Sequence, residues 1–206
     1  MMAALLGVAF FLLPGGGCAS TGEKMANSFQ RTRTNVAESR GQVSDTLSAL
    51  RIIRTARGDT VKDAYMHYKK SVGDLEKAGG EAKSRALALK EQSDTHMKAW
   101  QEEQKQIKDP AIKASLESRR SAVRSNFVLV QMYSDDVRKA YEPFISGNKD
   151  IVQALSIDLS PAGVSALAPS IDRVTGDGQA LDQRLWMLER ALNNIANGVS
   201  PLGTPG

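Results

Sequence analysis

The stretch Val164 to Val199, VSALAPSIDRVTGDGQALDQRLWMLERALNNIANGV, decides the fold. Val164, Leu167, Ile171, Val174, Gly178, Leu181, Leu185, Leu188, Leu192, Ile195 and Val199 follow one another at alternating steps of three and four. That spacing gathers them on one stripe of a helix. A repeat averaging 3.5 residues makes a seam that faces a partner helix, with a left-handed supercoil. Ser160-Pro161 supplies the start, a capping hydroxyl followed by a proline where no backbone donor is needed. Gly198, Pro201 and Pro205 supply the stop.

Working outward, the same steps recur upstream. One segment carries Val61, Tyr65, Tyr68, Val72, Leu75, Gly79, Ala82, Ala86, Leu89, Ser93, His96, Trp100, Glu103 and Ile107. The next carries Leu116, Val123, Phe127, Val130, Val137, Tyr141, Phe144, Ile151 and Leu155. The first is thinner, with Met25, Phe29, Val36, Val43, Leu50 and Ile53. Arg57-Gly58-Asp59 and Lys108-Asp109-Pro110 punctuate these segments, with Asp59 and Asp109 as expected N-caps. No stretch alternates as a strand does. Short connections between long helices force neighbours to run antiparallel. The expected fold is all-α, an elongated antiparallel helical bundle with coiled-coil-like heptad packing. Gly79, Gly80, Ala82 and Ala86 lack bulk, so a partner helix is expected to come close there. Pro143 is expected to kink or break its helix near Tyr141.

The N-terminus speaks to address. An apolar run of 11 residues, Ala3 to Leu13, precedes Pro14-Gly15-Gly16-Gly17 and the chain's one cysteine, Cys18. A bilayer core needs ~20 apolar residues, so the run fits the h-region of a signal peptide rather than a span. The order resembles a lipoprotein signal, although Gly15 stands where leucine is usual and no Lys or Arg precedes the run. The expected organisation is a signal peptide over 1–17, a lipid-anchored tether over 18–23, a helical bundle over 24–199 and a flexible tail over 200–206. Lipidation of Cys18 would leave the mature chain without a thiol. Ala19 after the cysteine implies, by likeness to outer-membrane lipoproteins, an outer-membrane site facing the periplasm where the source has two membranes.

Trp100-Gln101-Glu102-Glu103, Arg119-Arg120, Tyr141-Glu142-Pro143-Phe144, Asp150-Ile151-Val152 and Asp158-Leu159-Ser160 occur in that order. Together they resemble an uncharacterised group of bacterial helical lipoproteins, domain of unknown function 2959, over about Val61 to Val199. The resemblance implies a helical fold and an envelope location; it brings no activity.

Catalytic signatures are lacking. No Gly-x-Ser-x-Gly elbow occurs, and Gly176-Asp177-Gly178 lacks the strand and lysine of a phosphate loop. Asp135-Asp136 and Glu102-Glu103 are adjacent in sequence, so each pair diverges around a helix instead of converging for acid and base work. His96 falls on the seam with Ser93, Trp100 and Glu103, where a buried polar residue fixes helix register. His67 sits beside the stripe. No cofactor, metal or catalytic residue is expected. The charge balance, 27 basic against 23 acidic residues, is too mild to require nucleic acid.

Helix lengths add a geometric expectation. A first helix of about 33 residues and a second of about 48 differ by ~20 Å at ~1.5 Å per residue. The second would then return past Cys18 and press Lys105, Lys108 and Lys113 towards the membrane, or tilt the bundle. From Lys98 to Arg124, seven basic residues face four acidic ones, a balance suited to an anionic surface. The expected function is a non-enzymatic scaffold or adaptor for an envelope partner, or a self-associating one, working through helix faces. The thin first helix is the element expected to exchange partners. The alternative is a carrier holding a small ligand or metal between helices near Gly79 to Ala86 or His96.

Overall fold

The computed structural model describes residues 17–199, with side chains from Lys24 onward. Apart from Gly17, the expected signal segment lies outside the described residues, as does the expected tail. Five helices follow one another: α1 (Gly17–Thr55), α2 (Thr60–Lys105), α3 (Pro110–Ile157), α4 (Pro161–Ala166) and α5 (Ala168–Val199). No strand occurs among the described residues. α1 begins at Gly17 and so runs through the segment 18–23 expected as a tether.

The long helices run up, down, up and down. α1 packs on α2 and α5, and α3 packs on the same two, so α1 and α3 face each other across a diagonal. Phe29 and Phe127 meet edge to face across that diagonal at 6.5 Å. The α5 stripe is buried along its length, from Ile171 and Val174 through Leu181, Leu185, Leu188 and Leu192 to Ile195 and Val199. The α3 stripe is buried at Val123, Phe127, Val130, Phe144, Ile151 and Leu155. All six apolar residues of the thin α1 stripe are buried.

Its gaps hold polar residues that reach α5. Arg33 Nη1 donates to Asn193 Oδ1 at 3.0 Å, and Arg40 Nε donates to Asp182 Oδ1 at 2.8 Å. Arg40 Nη1 reaches Glu189 Oε2 at 3.2 Å, and Arg54 pairs with Asp172. The bond to Asp182 raises the Arg40 pKa.

The turns follow their residues. Gly58 alone among the described residues has a positive φ, +57°, the left-handed value that favours glycine, and sits in the turn between α1 and α2. Asp109 caps α3, its Oδ1 accepting from Ala111 N at 2.8 Å and Ile112 N at 3.0 Å. Ser160 caps α4, its Oγ accepting from Gly163 N at 3.1 Å. Asp59 stands at the expected position but makes no side-chain cap bond. Thr60 Oγ1 ties the turn together instead, donating to Arg57 O at 2.9 Å and accepting from Arg57 N at 3.4 Å.

Three expectations about the helices change. The helix starting at Ser160-Pro161 is divided at Leu167, because Pro169 has no N–H for the carbonyl of Ser165. Leu167 N turns to Val164 O at 3.2 Å instead. Pro143 does not break α3, which continues to Ile157. Pro143 and Lys139, whose carbonyl loses its donor, are exposed, so water can take the bond. In α2 the small-residue stretch is not uniformly packed. A Cβ on Gly79 would overlap the Tyr141 hydroxyl of α3, whereas every residue from Gly80 to Ala88 is exposed.

Candidate functional site

Cross-helix bonds set the register at the end of the bundle where α1 starts. Ser28 Oγ donates to Gln92 Oε1 at 2.8 Å between α1 and α2. Ten residues back along α1 is Cys18, and ten residues on along antiparallel α2 is Glu102, so these backbones are level. α2 therefore passes Cys18 by three residues, or about 5 Å, rather than the ~20 Å that the lengths alone imply. The difference arises because α1 starts earlier than expected.

α3 extends further at this end. A Cβ on Gly198 of α5 would lie 3.8 Å from Val123 of α3. Residues 110–122 of α3 thus run about 20 Å beyond that level. Alongside the end of α2 they form a projecting hairpin. Only Leu116 and Arg120 of that stretch are half-buried, and the rest are exposed.

A polar clasp centred on one buried side chain holds the hairpin closed. Gln104, 5% exposed, donates from Nε2 to Lys113 O at 3.1 Å and to Glu117 Oε2 at 3.0 Å. Arg120 Nη2 closes on Glu117 at 2.7 and 2.8 Å. Arg120 first, and Gln104 after it, hold the Glu117 carboxyl below the usual range. The seam position expected here was Glu103, which is exposed. Gln104 follows Trp100 by four, and the three-or-four choice is what periodicity leaves open. Lys105, Lys108 and Lys113 are all exposed on this hairpin, with Lys105 Nζ bonded to Glu102 Oε1 at 2.7 Å. Ile112 is 53% exposed between Lys108 and Lys113, and Ile107 is half-buried.

Above the clasp lies the His96 cluster. The His96 and Trp100 rings stand 5.8 Å apart, and the Arg119 guanidinium lies 5.9 Å from the Trp100 ring. His96 Nδ1 and Ser93 Oγ are buried with no hydrogen-bond partner in the protein. Burial pushes the His96 pKa down. His67 is exposed. Among the described residues, no three His, Cys, Asp or Glu side chains gather as metal ligands. At Gly79 the space expected for a ligand is taken by Tyr141.

A second surface was missed by motif search. Asn126, Leu129 and Tyr133 of α3 and Trp186, Met187, Arg190, Ala191 and Asn194 of α5 line a shallow groove of ≈ 270 Å³. Trp186 is 43% exposed, with the Arg190 guanidinium 4.8 Å from its ring centre, and Leu129 and Met132 are 43% and 46% exposed. The available signal was a tryptophan beside the seam residue Leu185, hence off the stripe. No described helix is long and apolar enough to cross a membrane.

A family model described as "Protein of unknown function (DUF2959)" matches residues 19–197. No curated protein and no solved structure matches the chain.

Proposed function

The chain belongs to the DUF2959 family, whose function is unknown, and from that premise we propose a lipid-anchored, non-enzymatic adaptor of the bacterial cell envelope. Cys18 carries the lipid, and the bundle stands in the periplasm on the outer membrane where two membranes are present. A helical segment of an envelope protein docks in the α3–α5 groove. The observation that carries this reading is the exposed Trp186, which lines one groove with the exposed Leu129. Large aromatics flanked by arginine are the residues that dominate interface energetics when covered. A groove between two helices suits an apolar helix face.

The test is in-cell photo-cross-linking from position 186, with position 62 on the exposed face of α2 as control. The reading expects one defined envelope protein joined from 186, absent from 62, and lost with Leu129→Asp. Equal capture from both positions, or none, would refute it. Acyl labelling that vanishes in Cys18→Ser tests the anchor separately.

The carrier reading has one observation in its favour, the unpartnered Ser93 Oγ and His96 Nδ1. They sit one turn apart on α2, within reach of a shared ligand atom. Two such groups are too few to hold a metal, so the ligand would be a small hydrogen-bonding molecule. Small alcohols and amides should then raise the melting temperature of the wild type and leave His96→Ala unmoved. A wild type unmoved by all of them rejects this reading.

A further inference from the structure

The projecting hairpin combines three properties that have no role in holding the bundle together. Its apex bears an isoleucine, Ile112, 53% exposed at the first turn of α3. Exposed Lys105, Lys108 and Lys113 surround that apex. The backbone register sets it beyond Cys18 by about one helical turn plus the connecting residues. We infer that this tip is a second membrane contact: Ile112 enters the headgroup boundary of an anionic bilayer, and Lys105, Lys108 and Lys113 meet lipid phosphates. Its orientation rests on the proposed Cys18 anchor, whereas its affinity for lipid belongs to the hairpin alone.

The physical balance favours contact. An exposed apolar side chain gains from leaving water, and basic residues near an anionic surface each contribute about a fivefold increase in binding. The Lys105–Glu102 pair is solvent-exposed and three residues apart on one helix, so it holds the ammonium weakly. Two attachments also cooperate, because an anchored chain presents its tip to the surface at high effective concentration.

The opposite end of the bundle offers a direct comparison. There Ile157 at the end of α3 is 81% exposed, and the last turns of α1 carry Arg51 and Arg54, with Arg57 just after them. Arg51, Arg54, Arg57 and Lys62 at that end are matched by Asp59, Asp63, Asp158 and Asp172. Arg54 pairs with Asp172, and Arg57 Nη1 donates to the carbonyls of Ala56 at 2.7 Å and Arg54 at 3.2 Å. That end lies one whole bundle length from Cys18. Apolar exposure alone would favour the Ile157 end; the basic excess over 98–124, seven residues against four acidic, and the position of Cys18 favour the Ile112 end.

The described bundle begins at Gly17, so a chain starting at residue 18 with Cys18→Ser lacks only Gly17 of it and has no other thiol. Ile112→Cys and Ile157→Cys are each made in that chain and labelled with an environment-sensitive dye. The labelled chains are then mixed with phosphatidylcholine vesicles with and without phosphatidylglycerol. The dye at 112 should shift to the blue on anionic vesicles only, and the dye at 157 should not move. Replacing Lys105, Lys108 and Lys113 with Gln should weaken binding about fivefold per residue, with unchanged circular dichroism. A shift at 157 equal to that at 112, no shift at either, or binding indifferent to the three lysines would overturn the inference. Acylation of Cys18 is scored independently in cells, so loss of the anchor and loss of the tip contact give different results.

Discussion

Tyr68 of α2 donates its hydroxyl hydrogen to Asn148 Oδ1 of α3 at 2.7 Å, and neither side chain is exposed to solvent. Asn148 Nδ2 in turn donates to Phe144 O at 2.7 Å within α3. Burial pushes the Tyr68 pKa up, so the phenol stays protonated as a donor. This pair joins the helices at one register, since a slip by a single residue would leave both polar groups buried without partners. Tyr68→Phe should cost about 1–3 kcal/mol, because Asn148 Oδ1 loses its donor in an apolar setting. Tyr68→Phe with Asn148→Leu should cost less than the two single changes added together. Urea unfolding of all four proteins checks this; strict additivity would mean that the two residues act separately.

The second prediction concerns the α1–α5 ladder. Arg40→Ala removes the contacts to Asp182 and Glu189, in which the Arg40 side chain is 31% exposed. For partly solvated pairs the loss should be about 0.5–1 kcal/mol and should shrink as salt rises. Urea midpoints at low and high sodium chloride give the comparison. A loss that salt does not reduce would point to packing of the arginine stem instead.

Two glycines of α5 should respond in opposite directions. A Cβ on Gly178 would come within 2.7 Å of Phe144 and 2.8 Å of Leu47, whereas one on Gly176 meets nothing within 4 Å. Gly176→Ala should stabilise by up to about 1 kcal/mol through helix propensity. Gly178→Leu should destabilise by about 1–3 kcal/mol through overpacking. Thermal melts of both variants decide it, and equal shifts in one direction would contradict the packing described.

His96 should give the bundle a pH dependence. Burial lowers its folded-state pKa below the ordinary 6.5, so below about pH 6.5 the unfolded chain takes up a proton that the folded chain resists. Stability contributed by the neutral imidazole is therefore fully present above the unfolded pKa. It declines as pH falls from there towards the depressed folded value. His96→Gln should flatten the urea midpoint between pH 7.5 and 5.5. A midpoint equally steep in wild type and variant would assign the effect to other groups.

The sequence pattern made the helices legible because burial in a bundle repeats with the helical turn. α5 is the clearest instance, with every seam residue from Ile171 to Val199 buried. The two proline-led caps, Asp109 and Ser160, were legible because they depend only on neighbours two or three residues away. What could not be read depends on long separations. Arg40 finds Asp182 142 residues later, and no local pattern indicates that choice. Ala82 and Ala86 continue the three-four rhythm, yet they are exposed, because periodicity gives a face without showing whether a partner reaches it. The hairpin site was half legible. Its lysines stood out by charge, whereas the Gln104 clasp and the level of Cys18 needed the register between helices.

The exposed run from Gly80 to Ala88 has a consequence for how the bundle comes apart. On either side, α2 is fastened by Tyr68 above and Gln104 below. Between them, its backbone bonds are shielded by little but their own side chains, and Gly80 weakens the helix further. Melting of these nine residues exposes almost no core, so the free energy of opening there is separate from that of global unfolding. A protease should nick the chain at this span first and leave two pieces still held together by the surrounding helices. One helix thus carries both the buried Tyr68 register bond and the peptide bonds most open to cleavage.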